Sequence, residues 1–248
     1  MVLNPGVRAP APPGGTIRMP TVLRMFVPAA IRAVMARIMP RVEAGTGLRI
    51  LQEVDLNPLI PKRIRAGEPY DIGLTNPPYA KALIEDGFAD GSSHRAFGRV
   101  SLAVAGQGAA QGRIMTEAAE IAALLRGARG IAYTGPGTSG RSYLDALERM
   151  GLSGSVLPHS HAMDGGVPAA SVAHGDYELA IAPLTTVLAT PGVVPVAVFP
   201  ESLGTHIDMS VFQSVASPEI VAQVTDILTG HALDDELAAA GIARFDLS

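Results

Sequence analysis

From residue 20 almost to the C-terminus, short apolar runs alternate with stretches of helical periodicity. That alternation constrains the fold more than any other feature, because strands separated by helices join most simply as parallel neighbours with helices on both faces. Residues 21–27, TVLRMFV, read as the first strand, and Pro28 is placed to open a helix. Ile31, Val34, Met35, Ile38 and Met39 then recur at the spacing of a core-facing helix, with Arg32, Arg37 and Arg41 off that stripe. Pro40 is expected to kink or end it. Further strands are expected at 47–54, 71–76, 99–106, 130–134, 177–183, 194–200 and 207–215. Helices are expected at 57–67, 77–87, 116–127, 140–151, near 164–174, just after 183, at 218–230 and at 233–241. The run RVSLAVAG at 99–106 suits a strand buried on both faces.

Composition narrows the function. With 4% aromatic residues, no tryptophan and a net charge of −4, the chain lacks the basic, stacking surface that nucleic acid requires. The absence of cysteine excludes disulfides and thiolate chemistry. No apolar run approaches the ~20 residues that span a bilayer, so membrane insertion is not expected. The best leader candidate, RMFVPAAIRAVMA, is broken by Pro28 and Arg32. A cytoplasmic location is therefore expected for the chain as written, and a periplasmic one if a leader has been removed. Residues 1–19, rich in Pro and Gly, read as a disordered extension, with Met19 a candidate start.

Open α/β sheets bind ligands where strands end and helices begin. Four segments present that arrangement: 24–29, 75–78, 134–142 and 183–186. The third, TGPGTSGRS, comes within one residue of a nucleotide-binding P-loop, but Arg141 stands where the lysine is needed and no later strand supplies the magnesium-binding Asp. A serine-hydrolase elbow fails because Arg141 occupies its last glycine position. What survives is a strand feeding a glycine-rich turn into a helix, which aims unpaired N–H groups and a positive dipole end at one point. Thr134, Gly137, Thr138, Ser139, Gly140 and Arg141 are then candidate anion contacts. The local sequence leaves a second reading open, in which Thr138 or Ser139 only caps the helix.

Several stretches in order carry a family resemblance. GIAYTGPGTSGRSYLDALERMGL resembles the strand, turn and helix of molybdate-type solute-binding proteins, and HGDYELAIAPLTTVLATPGVVPVAVFPESL at 174–203 resembles their later cleft stretch. GLRILQEV followed by RIRAGEPYDIGLTN, and the closing VTDILTGHALDDELAAAGI, are similar to the first lobe and the final helices. The resemblance covers about Pro20 to Phe245. It implies the type II periplasmic-binding fold: two α/β lobes, each a mostly parallel sheet flanked by helices, joined by two hinge crossings. The implied lobes are residues 20–98 plus 204–248, and 99–203. Function follows as an expectation: a solute-binding protein that closes its cleft on a small anion, with an ABC permease as partner if exported.

Two departures refine this. The family's first cleft loop offers small hydroxyl residues, whereas this chain has Arg24, Met25 and Phe26, and a guanidinium suits an organic carboxylate better than molybdate. The resemblance group also includes aconitate isomerase, so a cytoplasmic isomerase or lyase of a polycarboxylate is the alternative, with His159, His161, Asp164 or His174 as acid or base. His159 and His161 would share one side of a strand and could pair on a metal, but no third ligand stands at suitable spacing, and no metal or cofactor is expected. Asp164 reads equally as a helix cap. Thr75 and Asn76 end a strand before two prolines, and Thr185 and Thr186 follow Pro183; all four are candidate donors to the cleft.

Overall fold

The computed structural model describes residues 22–108, 112–164 and 167–247; the extension expected over 1–19 lies outside them. The chain builds β1 (Val22–Pro28), α1 (Arg32–Thr46), β2 (Arg49–Asp55), α2 (Ile60–Arg65), β3 (Ile72–Thr75), α3 (Pro77–Glu85) and β4 (Ala89–Val100). After Ser101 come β5 (Leu102–Gln107), α4 (Ala118–Gly127), β6 (Ile131–Thr134), α5 (Thr138–Arg149), α6 (Ser153–Val156) and β7 (Ser160–Met163). Next are α7 (Pro168–Ala173), β8 (Leu179–Pro183), α8 (Leu184–Ala189) and β9 (Val193–Val198). The chain closes with β10 (Ile207–Ser214), α9 (Val221–Thr229), α10 (Asp234–Ala239) and β11 (Ile242–Ala243).

Two sheets result, ordered β11-β4-β10-β3-β1-β2 and β7-β6-β8-β5-β9, and each forms the centre of one lobe. Both are mixed rather than mostly parallel. β1 runs parallel to β2 and β3, and β6 runs parallel to β7 and β8, as helix-linked strands should. The antiparallel pairs all involve β4, β5 or β10, the strands beside the two passages between lobes. A chain that enters a lobe, crosses it and leaves must reverse against its neighbours, and these strands do so. The run 99–106, expected as one strand, is split for the same reason: Arg99 and Val100 end β4, Ser101 makes the passage, and Leu102 begins β5.

Side-chain alternation places the core on both faces of each sheet. Along β1, Leu23, Met25 and Val27 pack beneath the expected stripe of α1, Ile31 to Met39, while Phe26 faces the opposite way into Ile60, Ile64, Leu83 and Phe212. Along β5, Leu102 and Val104 meet Ile121, Tyr143 and Leu147; Ala103 and Ala105 meet Ala169, Val172 and Val187. Pro40 does not end α1, which continues to Thr46. The carbonyl that loses its partner belongs to Ala36, and both Ala36 and Pro40 lie on the exposed face of α1, where solvent is free to take the place of the missing N–H.

Residues 89–98, the greater part of the long strand β4, have no counterpart among the strands expected from the sequence. Its residues ADGSSHRAFGRV are polar and glycine-containing, and they are held extended by β10 on one side and β11 on the other. Tertiary pairing overrides local preference there.

Candidate functional site

The C-terminal ends of β1, β2, β6 and β8 converge between the lobes on a cavity of about 380 Å³. One wall is Ala29, Ala30, Arg32, Leu56 and Asn57; the other is Thr134, Gly137, Thr138, Ser139, Val167, Pro168, Ala182, Pro183 and Thr186, with Ile207 at the crossing. β6 delivers the turn. Gly135 N–H donates to the Met163 carbonyl at 3.0 Å, and the chain re-enters helix at Thr138 with Gly137 as N-cap. No side chain caps α5. The capping role weighed for Thr138 and Ser139 is therefore not what they perform. The N–H groups of the first turn have no helical acceptor and lie at the positive end of the helix dipole.

Gly140 makes this turn possible. A Cβ there would stand 1.9 Å from the Thr134 carbonyl oxygen, so only glycine lets the helix pack this close against the end of its strand.

The cavity carries one formal charge, the guanidinium of Arg32, and no carboxylate lines it. Its helix neighbours are occupied: Arg37 donates to the Glu236 carbonyl at 2.7 Å, and Arg41 pairs with the Glu236 carboxylate at 2.6 Å. The Arg32 guanidinium makes no hydrogen bond or ion pair with the described residues, so its charge is spent on the cavity and solvent. Asn57 is buried; its carbonyl end accepts from the Thr75 hydroxyl at 3.2 Å, which leaves its amide N–H groups as donors. The result is a pocket of donors and positive potential with an apolar wall, suited to a small anion.

The expected contacts divide. Thr134, Gly137, Thr138 and Ser139 line this cavity, and Gly140 sits behind them. Thr75 is fully buried one step back, through Asn57. Asn76 donates to the Asp208 carbonyl at 2.7 Å and accepts from the Thr138 hydroxyl at 2.9 Å, which ties the two lobes together. Arg141 lies in an adjoining cavity of about 530 Å³. Thr185 does not line the main cavity; its hydroxyl donates to the Ala30 carbonyl of the other lobe, and Thr186 takes the lining position.

Arg24 and Phe26 are corrections. Arg24 lies four residues and Phe26 two residues before the end of β1 at Pro28. Arg24 points to solvent beside Glu53, 3.5 Å away, and Phe26 is core, capped by the Arg63 guanidinium 4.6 Å from its ring centre. Arg32 is the arginine that reaches the cleft. The signal was available, since it opens the helix after the first strand.

The acid and base candidates do not gather either. His159 bonds the Leu125 carbonyl at 3.0 Å, and the His161 ring meets Tyr177 at 5.2 Å beside the N-terminal end of β8, away from the cleft. His174 follows α7 at its far end and is exposed. Asp164 is exposed beyond Gly135 and caps no helix, because Val167 holds the N-cap of α7. None of the four lines the cavity, and the isomerase alternative loses its base. Among the described residues no three His, Asp or Glu side chains gather as metal ligands, and no helix is long and apolar enough to cross a membrane.

Solved proteins share this architecture. A solved periplasmic molybdate-binding protein of Azotobacter vinelandii superimposes with a TM-score of 0.74 at 17% identity, covering 89% of this chain and 98% of the other. The sulfate-binding protein SubI of Mycobacterium tuberculosis gives 0.68 at 16% identity, over 91% and 88% of the two chains. The tungstate-binding protein TupA of Desulfovibrio alaskensis gives 0.63 at 14% identity, over 92% and 100%. These likenesses establish the two-lobed fold. A search of curated sequences finds no significant match. A family profile described as bacterial extracellular solute-binding protein matches residues 23–242, and it gives the cytoplasmic expectation no support. Fold, cleft and profile agree: this chain belongs to the bacterial extracellular solute-binding protein family.

Proposed function

We propose that the protein is the receptor for a small organic anion, which it captures between lobes 20–98 plus 204–248 and 99–203 and hands to an ABC permease. The observation that carries this reading is the unpaired Arg32 guanidinium in a cavity without carboxylates, together with the uncapped first turn of α5. A carboxylate suits the cavity better than a bare tetrahedral oxyanion. The donors are Arg32, Asn57, Thr134, Ser139 and Thr186, whereas the side chains of Ala29, Ala30, Leu56 and Val167 offer only apolar surface. An inorganic dianion needs hydrogen bonds all round, and burying it against that wall is costly. A carboxylate with a carbon skeleton matches both halves, and guanidinium can grip it bidentately. Thermal-shift screening against carboxylates, molybdate, tungstate and sulfate tests this, since a ligand at 100 times its Kd adds about 2.7 kcal/mol of stability. Arg32→Ala is expected to lower affinity about tenfold or more, the loss of one charge-assisted contact. No shift with any anion overturns the reading, and a shift with the inorganic anions alone overturns the carboxylate assignment.

A further inference from the structure

The cavity beside the main cleft is larger than the cleft itself, about 530 Å³, and the two share Thr138 and Ile207 as lining residues. It lies between the start of α3, the first turns of α5 and the passage into β10. Its charges are not equally committed. Arg99 is spent on Asp208 through two bonds, 2.7 Å and 2.9 Å, with Glu201 3.7 Å away. Lys81 and Asp246 contribute one charge of each sign. Arg141 has only a neutral partner: its Nη2 donates to the Tyr79 hydroxyl at 2.5 Å, and the guanidinium carbon sits 5.9 Å from that ring's centre. It forms no ion pair with the described residues. In the same cavity His206 has a buried Nδ1 without a partner.

Two uncompensated guanidinium groups therefore face the inter-lobe space, Arg32 in one cavity and Arg141 in the next, with Thr138 and Ile207 between them. We infer that the ligand is an elongated dianion carrying two separated acidic groups. The first group sits in the main cleft against Arg32 and the first turn of α5. The second sits on Arg141 and the Tyr79 hydroxyl, and the carbon chain that joins them runs over Thr138. Thr138, half-buried and lining both cavities, is the surface the carbon chain crosses, and the planar fork of arginine fits a carboxylate at each end. A tetrahedral oxyanion or a monocarboxylate reaches only the first cavity. This inference rests on the reading of the main cleft given above.

Calorimetric titration of the full chain with α,ω-dicarboxylates from malonate to adipate, each beside the monocarboxylate of matched length, tests it. The expected result is at least one dicarboxylate bound tenfold or more tighter than its matched partner, with that preference reduced to about one in Arg141→Ala. Monocarboxylate affinity should not change in Arg141→Ala and should fall in Arg32→Ala. Equal affinity for both series, or an Arg141→Ala variant that weakens both equally, overturns the inference and leaves the main cleft as the anion site. Tighter binding of sulfate or molybdate than of every dicarboxylate, unaffected by Arg141→Ala, does the same. Absence of binding by any of these anions overturns both readings. Arg141 is exposed, so an unchanged unfolding temperature of the variant separates loss of contact from loss of fold.

Discussion

Gly140→Ala is the substitution for which the structure gives the sharpest expectation. The added methyl would stand 1.9 Å from the Thr134 carbonyl oxygen, and real Cβ atoms essentially never come within 3.0 Å of such a neighbour. The obstacle is backbone at the end of β6 and cannot swing aside, so α5 and its strand must part by about 1 Å. Overpacking costs roughly 1–3 kcal/mol, and a rigid neighbour places this case near the upper end. Alanine returns about 1 kcal/mol through its better helix propensity. The net loss is about 2 kcal/mol, which for a chain of this size lowers the melting temperature by about 4–8 °C. Gly127→Ala at the end of α4 is the control: nothing lies within 4 Å of its Cβ position, so the same chemical change should be neutral or stabilise by up to about 1 kcal/mol. Urea and thermal unfolding of both variants decide the matter. Displacing the turn also moves its N–H groups, so anion affinity should fall about tenfold in Gly140→Ala alone. A Gly140→Ala protein as stable as the parent would refute the close-packing argument, whatever its affinity.

Three further outcomes follow from the described contacts. Arg32→Ala should leave the unfolding temperature of the ligand-free protein unchanged while it weakens anion binding, and a drop in both would make the residue structural. Arg244 donates to the carbonyls of Phe97, Leu228 and Gly230 at 2.6–3.0 Å and to the Asp234 carboxylate at 2.9 Å. Arg244→Met strands these acceptors and should cost about 2–4 kcal/mol in urea unfolding; a loss under about 1 kcal/mol would show that water replaces the guanidinium. Burial pushes the Tyr143 phenol up to about 12, against an ordinary value of 10.0. The unfolded chain releases that proton first, so the contribution of Tyr143 to stability is full below pH 10 and is lost as pH rises toward 12. Tyr143→Phe should therefore flatten the fall in urea midpoint between pH 10 and pH 12, and an unchanged slope would count against the burial effect.

Periodicity made most of the fold legible. The α1 stripe, the strand-turn-helix at 131–149 and the closing helices lie where their apolar spacing places them, because each buries one face on a sheet beside it. Residues 89–98 of β4 were not legible, since ADGSSHRAFG is extended only in the company of β10. The split at Ser101 was hidden for a related reason. Arg99 to Gly106 is buried or half-buried throughout, and burial alone does not say which sheet does the burying. At the site, the turn from Thr134 to Ser139 could be read because glycine spacing and a helix start are local features. Choosing between Arg24 and Arg32 needed the exact end of β1, where Pro28 both closes the strand and, as expected, stands at a helix start, the 3-10 turn Ala29–Ile31 that leads into α1.

The order of strands in the first sheet also governs how the protein is made. β10 lies between β3 and β4, yet more than a hundred residues separate the end of β4 at Val100 from its start at Ile207. Those intervening residues include every strand of the second sheet, from Leu102 to Val198. During synthesis the second lobe is contiguous and can complete its sheet while the first is missing its central strand. Until β10 arrives, β3 and β4 each present an open edge, the kind of unpaired surface that invites wrong partners. The chain thus emerges with its first-made lobe finished last, and the time between Val100 and Ile207 is when a chaperone has most to protect.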